Sequence, residues 1–153
     1  MPSLDFRLDL SALESQIDGI EDKTKAAVRP AAQAGAQVLY NRVMQNVAGI
    51  GVKSGNLRSS IYQTYSKDNS GEKRATYHIS WNTKKAPHGH LLEFGHVQRY
   101  AVFLGSDGQW HTDKKRPIAP RIVAARPFVR PARDSIPAAL EAVKDRFAEE
   151  MKK

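Results

Sequence analysis

The sequence predicts an α+β fold, in which one antiparallel β-sheet packs against a long N-terminal helix and a C-terminal amphipathic helix. Three observations support this prediction. Between residues 22 and 47, small and apolar residues recur at every third or fourth position, which is typical of a helix with one buried face. Runs of alternating apolar and polar residues, typical of strands, follow between residues 57 and 125. A second helical pattern ends the chain, and its apolar positions are Ile136, Leu140, Val143, Phe147 and Met151.

The length of 153 residues is enough for one domain with a modest core. We expect a single domain over residues 1–153, with a helical part at 9–48, a sheet at 57–125 and the C-terminal helix at 131–151. No apolar run approaches the roughly 18 residues of a membrane-spanning helix, and the first residues lack the pattern of a secretory leader. The chain has no cysteine, which excludes disulfides and thiolate metal sites.

The N-terminal part is predicted to begin with a strand and a short helix. Phe6, Leu8 and Leu10 alternate with charged residues, which favours a strand. Ser11 can then cap a helix, with Glu14 as its capping-box partner. The apolar face of that helix would consist of Leu13, Ile17 and Ile20.

A long helix is expected from Asp22 to about Val47. Its apolar stripe consists of Val28, Ala32, Gly35, Leu39, Val43 and Val47. Pro30 lies inside this pattern and predicts either a kink or a fresh helix start near Arg29, because proline removes a helical hydrogen bond. Residues 31–36 are nearly all small, so another backbone can come close. They indicate either tight packing on the chain's own sheet or a contact between subunits.

Four strands are predicted after a glycine-containing loop at residues 49–56. This loop lacks the ending of a phosphate-binding loop, and no parallel βαβ pattern surrounds it. Residues 61–66 and 74–81 are expected to form an antiparallel hairpin with one buried face. That face consists of Ala75, Tyr77, Ile79 and Trp81. Further strands are expected at 97–104 and 121–125, and the basic segment Lys114-Lys115-Arg116-Pro117 between them is interpreted as an exposed loop.

The segment Ala125–Pro131, called the elbow below, is predicted to connect the last strand to the C-terminal helix. Two prolines four residues apart each fix φ at about −65°, and a residue just before a proline is pushed towards an extended conformation. The segment is therefore stiff before anything packs on it. Its large apolar groups, the expected anchors, are Phe128 and Val129. Its two permanently charged groups are Arg126 and Arg130.

Three short motifs in this chain resemble those of one known family. Residues 54–61, Ser-Gly-Asn-Leu-Arg-Ser-Ser-Ile, resemble its T/S-G-x-L-R-x-S-I motif. Residues 86–96 resemble A-P-Y-A-x-x-V/L-E-F-G-T, with His88 in place of the aromatic residue and His96 in place of Thr. The elbow and Ala132 resemble A-R-P-F-x-R-P-A. On these residues the chain resembles the head–tail joining proteins of long-tailed bacteriophages, which are neck or tail-completion proteins.

The resemblance implies a structural virion protein of the phage head–tail junction, made in the host cytoplasm and assembled as a ring or array of its own copies. It implies two further partners, a head-closure or connector protein on one side and a tail terminator or tail tube protein on the other. Phage DNA would pass through the assembly, and no membrane is involved. The subunit or partner interface is expected at Glu93, Arg126, Pro127, Phe128, Val129, Arg130 and Pro131.

Within these motifs, individual residues have predicted roles. We hypothesise that Phe128 and Val129 fill a hydrophobic site while the two elbow arginines pair with carboxylates. Glu93 is the expected partner, because it is the sole carboxylate between residues 73 and 106 of a basic segment. Phe94 is expected in the core, and Gly95 in a turn.

The net charge of +8 is concentrated in the middle of the chain. Residues 49–133 carry fifteen Lys and Arg against five Asp and Glu, a net charge of +10, whereas residues 1–48 and 134–153 each carry −1. A basic middle can attract nucleic acid or an acidic protein face, or can simply be solvated. The candidates for such contacts are Lys84, Lys85, Lys114, Lys115 and Arg116. The alternative function is therefore a stand-alone DNA-binding protein with backbone-directed, salt-dependent binding, although no helix-turn-helix or RNP-type motif accompanies the charge.

We expect neither catalysis nor a bound cofactor or metal. His88, His90 and His96 lie near Glu93, but their spacing is not that of His-Glu-x-x-His, and we interpret them as a chance cluster. The sequence also lacks a Gly-x-Ser-x-Gly nucleophile turn and a local pair of carboxylates suited to acid–base chemistry.

Overall fold

The computed structural model describes residues 2–9, 21–51 and 55–153. Its strands are β1 (Leu4–Asp9), β2 (Ile61–Tyr65), β3 (Arg74–Trp81), β4 (His96–Leu104) and β5 (Trp110–Val123). Its helices are α1 (Glu21–Ile50), α2 (Asn56–Ser60), α3 (Gly89–Phe94), a 3₁₀ helix (Arg130–Ser135) and α4 (Ile136–Met151). The predicted α+β class, with antiparallel sheet between a long N-terminal and a C-terminal helix, is confirmed. The predicted helix start at Ser11 lies outside the described residues.

The central sheet has three antiparallel strands in the order β1-β3-β2. All three strands were predicted, and β3 has the predicted bounds. One prediction about β3 needs correction, because both of its faces are buried over much of its length. The hydroxyl of Thr76 donates to the main-chain oxygen of Asn69 (2.8 Å), and that of Ser80 donates to the oxygen of Pro2 (3.1 Å). Burial of these polar side chains is tolerated because each hydroxyl has an acceptor.

Helix α1 runs without a break through Pro30, so the predicted fresh start at Arg29 is wrong. Every residue of the predicted apolar stripe is buried. At its centre, a Cβ added to Gly35 would lie 2.6 Å from Cζ of Phe6 in β1 and 2.6 Å from Cγ2 of Val143 in α4. The small residues of α1 therefore let a strand and a helix of the same chain approach its backbone, and this intrachain packing occupies their buried faces.

Helix α4 packs on α1 through Ala139 and Val143, and Phe147 is partly buried against the same core, so the predicted apolar stripe is confirmed at Val143 and Phe147. Ile136 and Leu140 are 40% and 44% exposed, although both belong to the predicted apolar stripe. Val143 contacts α1 at Gly35, where the lack of a side chain lets the two helices approach closely. This contact fixes the rotation of α4 about its own axis. The larger Ile136 and Leu140 are thereby left at the margin of the interface.

Strands β4 and β5 form a separate two-stranded antiparallel sheet, so the prediction of one sheet is wrong. We call this hairpin, residues 96–123, the arm. The interpretation of Lys114–Pro117 as a loop is also wrong, because β5 continues through it. Pairing shifts there: adjacent residues Tyr100 and Ala101 pair with Pro117 and Asp113, and the three residues between those partners, Lys114–Arg116, form a basic bulge.

Candidate functional site

Glu93 connects two of the three sequence motifs through one group of hydrogen bonds. It lies near the end of α3, and its side chain is fully buried. Oε2 accepts the main-chain N–H groups of Phe128 (2.8 Å) and Val129 (3.0 Å). Oε1 accepts the main-chain N–H of Arg130 (3.0 Å) and its side-chain Nε–H (3.1 Å). Arg130 Nη2 also donates to the main-chain oxygen of Glu93. We call this group the Glu93–elbow contact.

The backbone of the elbow explains why three consecutive N–H groups point at one carboxylate. The 3₁₀ helix begins at Arg130, with Pro131 in its first turn and Val129 as its N-terminal flanking residue. The first N–H groups of a helix have no partner within the helix, so they need an acceptor from elsewhere. Glu93 supplies that acceptor and adds negative charge where the helix dipole favours it. The predicted pairing of Glu93 with an elbow arginine is confirmed for Arg130.

The apolar anchors of the elbow face the core of their own chain. Phe128 and Val129 are 0% and 2% exposed. The ring of Phe128 meets the indole of Trp81 edge-on, with centroids 5.2 Å apart and planes at 64°. Asn46 Nδ2 donates to the main-chain oxygen of Phe128 (2.9 Å). In this conformation neither side chain is accessible to a partner. The hydrophobic site that they fill lies in the core of their own chain.

The remaining elbow residues are accessible. Arg126 is exposed, while Pro127 and Pro131 are partly buried. These three residues border a cleft of about 470 Å³, together with Gln45, Asn46, Gly49 and Ile50 of α1. The main-chain N–H of Arg126 donates to the oxygen of Leu92 (2.7 Å), which ties the start of the elbow to α3. The expected pairing of Arg126 with Glu93 is not seen, because Arg130 and three main-chain N–H groups surround that carboxylate.

Phe94 is a correction to the prediction, since it is more than half exposed instead of lying in the core. Its ring lies under the Arg130 guanidinium, with Cζ 4.9 Å from the ring centroid. Gly95 confirms the predicted turn with φ of 73°, a value that favours glycine. A Cβ there would also lie 2.7 Å from the oxygen of Val123. The Glu-Phe-Gly sequence thus supplies a buried carboxylate, a surface ring and a turn without a side chain.

The predicted basic contact residues are exposed and belong to two separate elements. Lys84 and Lys85 lie in the turn that follows β3, and their main-chain N–H groups donate to Asn82 Oδ1. The other three residues form the basic bulge of β5. The structure therefore presents the five candidates as two separate basic groups.

The histidines near Glu93 do not converge with it on a metal site. Over residues 2–9, 21–51 and 55–153, the structure contains no cluster of three or more His, Asp or Glu side chains that could hold a metal ion. Burial, with the nearby charge of His90 as a smaller cause, lowers the pKa of His88. Within the same described residues, no helix is long and apolar enough to cross a membrane.

Sequence reasoning missed the arm as a candidate surface. The exposed large apolar residues on it are Val97, Tyr100, Val102, Phe103, Leu104, Trp110 and Ile122. The alternation of Tyr100, Val102 and Leu104 was a signal for one apolar face, but it was read as the face of a strand in a common sheet. In the structure β4 pairs with β5 and not with the central sheet, and the side chains of Tyr100, Val102 and Leu104 are exposed.

Comparison with known proteins gives one match. Residues 11–95 match the family model described as "Bacteriophage HK97-gp10, putative tail-component". The comparisons with curated proteins and with solved structures gave no match. The matched segment includes α1, the hairpin of β2 and β3, and Glu93. It covers more than half of the chain. This protein therefore belongs to the HK97-gp10-like family of bacteriophage tail components.

Proposed function

We propose that this tail component is a non-catalytic joint at the head–tail junction, where copies of it form part of a ring between the head connector and the tail. Its family is one of phage tail components, so a structural role in the virion follows directly. The narrower proposal is supported by the three motifs that resemble head–tail joining proteins. Its partners would be a head-closure or connector protein and a tail terminator or tail tube protein, and it would be made in the host cytoplasm.

The observation that carries the proposal is the Glu93–elbow contact. It joins the second motif to the third, and three of the four described hydrogen bonds of the Glu93 carboxylate come from backbone N–H groups of the elbow, the fourth from the Arg130 side chain. A fully buried carboxylate that already accepts four hydrogen bonds is poorly placed to exchange protons with a substrate. It is well placed to hold the accessible residues of the elbow, Arg126, Pro127, Arg130 and Pro131, in one geometry. Repeated contacts between subunits require such a fixed geometry. We call these four the outer elbow residues.

The outer elbow residues are therefore the proposed interface. Arg126, Pro127 and Pro131 line one cleft, and the side chain of Arg130 is 46% exposed. Prolines lose little conformational entropy on binding, and arginines favour a partner with carboxylates. Glu93, Phe128 and Val129, which were predicted to lie in the interface, would instead act indirectly. Their side chains are buried and position the outer elbow residues from within the core.

A phage that lacks the gene tests this proposal. Electron microscopy of the lysate should show DNA-filled or empty heads beside complete, unattached tails, and a plasmid copy of the gene should restore joined particles. Arg126→Glu should fail to restore them while folding normally, because Arg126 is exposed. The matched control is Arg133→Glu, an exposed arginine just beyond the elbow. Normal joined particles without the gene would contradict the proposal.

The exposed basic groups favour DNA contact as a second candidate function. Lys84, Lys85 and the basic bulge could meet phosphates, either in the virion channel or in a stand-alone complex. Light scattering of the purified chain with and without duplex DNA separates these cases. A stand-alone binder should form a complex that dissolves between about 50 and 200 mM salt. A mass that is indifferent to DNA would contradict the stand-alone function.

A further inference from the structure

The cleft beside the elbow has a second wall, which the last turns of α1 supply. Its volume of about 470 Å³ lies in the range of pockets that hold a ligand. One turn of helix with its side chains occupies roughly 400–600 Å³, so the cleft has room for a short segment of a partner and not for a whole helix. The wall from α1 consists of Gln45, Asn46, Gly49 and Ile50.

One part of the cleft lining is apolar. Ile50 from α1, and Pro127 and Pro131 from the elbow, offer hydrocarbon surface and no side-chain group that forms hydrogen bonds. Ile50 also packs against the core, so its position is fixed from below. An apolar side chain of a partner fits this part of the lining, because its burial there removes hydrocarbon from water on both sides.

The polar part of the lining leaves donors for a partner. Asn46 Nδ2 donates to the main-chain oxygen of Phe128 (2.9 Å), which fixes that amide. Gln45 Oε1 accepts from Arg42 Nη1 (3.5 Å), so the N–H groups of the Gln45 amide are left for a partner. Arg126 is exposed, and over residues 2–9, 21–51 and 55–153 its guanidinium forms no ion pair.

The charges of the two walls are positive. Residues 26–50 of α1 contain two Arg and no Asp or Glu, and residues 124–131 contain two more Arg and no acid. The carboxylate that contacts the elbow, Glu93, is fully buried and already accepts four hydrogen bonds. The cleft therefore favours an occupant that brings carboxylates of its own.

The chain itself is poorly supplied with such an occupant. Its adjacent acidic residues are those at 21–22 and 149–150. Both pairs lie in helices, at the start of α1 and near the end of α4, and they form ion pairs with Lys25 and Arg146. A phosphate backbone would match the arginine but would leave the apolar part of the lining unused. These observations favour a different protein over a second copy or DNA.

We propose that the cleft between α1 and the elbow binds a short acidic segment of another virion protein. A carboxylate of that segment pairs with Arg126, and a neighbouring apolar side chain lies against Ile50, Pro127 and Pro131. This inference rests on the proposed function, in which the outer elbow residues meet a partner. It adds the chemistry of that partner and makes the end of α1 the second half of the interface.

Photo-cross-linking in infected cells identifies the occupant. The variant Gln45→benzoylphenylalanine places a photoreactive group in the cleft, at an exposed position. After irradiation, mass spectrometry should find this chain joined to a segment of another virion protein that carries at least two Asp or Glu and a net negative charge. The matched control is Gln33→benzoylphenylalanine, an exposed position about 18 Å further along the same helix, which should not cross-link to that segment.

A charge exchange then tests the pairing with Arg126. A synthetic peptide with the sequence of the cross-linked segment is titrated into the purified chain by fluorescence anisotropy. Arg126→Glu should weaken its binding by about tenfold or more, whereas Arg133→Glu, an exposed arginine outside the cleft, should change it by less than about threefold. A peptide with Lys in place of its acidic residues should bind Arg126→Glu more tightly than it binds the wild type. Circular dichroism should show the same fold for both variants.

Several outcomes would overturn the inference. They are a cross-link from position 45 to a second copy of this chain, to DNA or to a segment without net negative charge, the absence of any cross-link, and equal binding of the peptide by Arg126→Glu and the wild type. The proposed function is tested separately by particle morphology. Any of these outcomes, together with unjoined heads and tails in the gene-deleted phage, would overturn this inference and leave the function standing.

Discussion

Glu93 and Arg130 lie 37 residues apart in the chain and meet through two hydrogen bonds to one carboxylate oxygen, from the main-chain nitrogen at 3.0 Å and from Nε at 3.1 Å. The carboxylate is fully buried, whereas the arginine side chain is 46% exposed. The two partners therefore differ in burial. Glu93 binds the elbow backbone from inside the core, and the Arg130 side chain lies between the Glu93 carboxylate and solvent.

Glu93→Gln should destabilise the fold by about 2–3 kcal/mol. The amide keeps the shape but replaces one acceptor oxygen with a donor that faces main-chain N–H groups, and buried donors are left unpaired. Urea unfolding measures the change. The matched control is Glu141→Gln, an exposed carboxylate paired with Lys144, which should change the free energy of unfolding by less than about 0.5 kcal/mol. Equal effects of the two variants would contradict the role of Glu93.

Arg130→Ala should cost less than Glu93→Ala, although both break the same ion pair. Removing Arg130 leaves the carboxylate with three main-chain N–H donors, so we expect a loss of about 1–2 kcal/mol. Removing Glu93 leaves those donors buried and unpaired, with an expected loss of about 3–5 kcal/mol. Unfolding of both variants in urea gives the comparison. A larger loss for Arg130→Ala would show that the arginine, and not the main chain, is the principal partner.

Gly35→Ala and Gly49→Ala should shift stability in opposite directions, although both lie in α1. At Gly35 the new methyl would lie 2.6 Å from atoms of Phe6 and Val143, and overpacking of this kind costs about 1–3 kcal/mol. At Gly49 nothing lies within 4 Å of the new methyl, so the better helix propensity of alanine should stabilise by up to about 1 kcal/mol. Thermal unfolding measures both. A stabilising Gly35→Ala would contradict the close packing of α1 with β1 and α4.

Asp107, in the turn of the arm, should titrate below the ordinary range of an aspartate. The main-chain N–H of Gln109, and after it the ring of His111, lower the pKa of this carboxyl. Because the pKa is lower in the folded turn, its contribution to the stability of the turn is fully present above the ordinary pKa and is lost as the pH falls through the lowered one. NMR titration of the carboxyl carbon measures this. His111→Ala should raise the pKa only part of the way, and an ordinary wild-type pKa would refute the assignment.

Local pattern was enough to predict β2, β3 and α1, because alternation and helical spacing reflect which side of each element is buried. It failed where packing at long range decides. Ile136, Leu140 and Val143 all belong to the predicted stripe, and only the close approach of α4 to α1 at Gly35 buries Val143 and leaves the other two exposed. The basic residues 114–116 suit a loop, and only pairing with β4 makes them a bulge in a strand.

In the candidate site, too, some features could be predicted from local sequence and others depend on long-range packing. A carboxylate in a basic segment made an arginine partner predictable, and Arg130 fulfils that role. The three main-chain N–H groups could not be predicted, because their direction depends on the backbone of the elbow. The burial of Phe128 beside Trp81 likewise depends on contact between segments distant in sequence.

Labelling of purified virions with gold-conjugated antibody against this chain tests the head–tail joint most directly. The account predicts gold at the junction between head and tail in intact particles, with labelling lost from tailless heads and headless tails of the gene-deleted phage. Gold at the distal tail tip, or virions that carry no label at all, would contradict it.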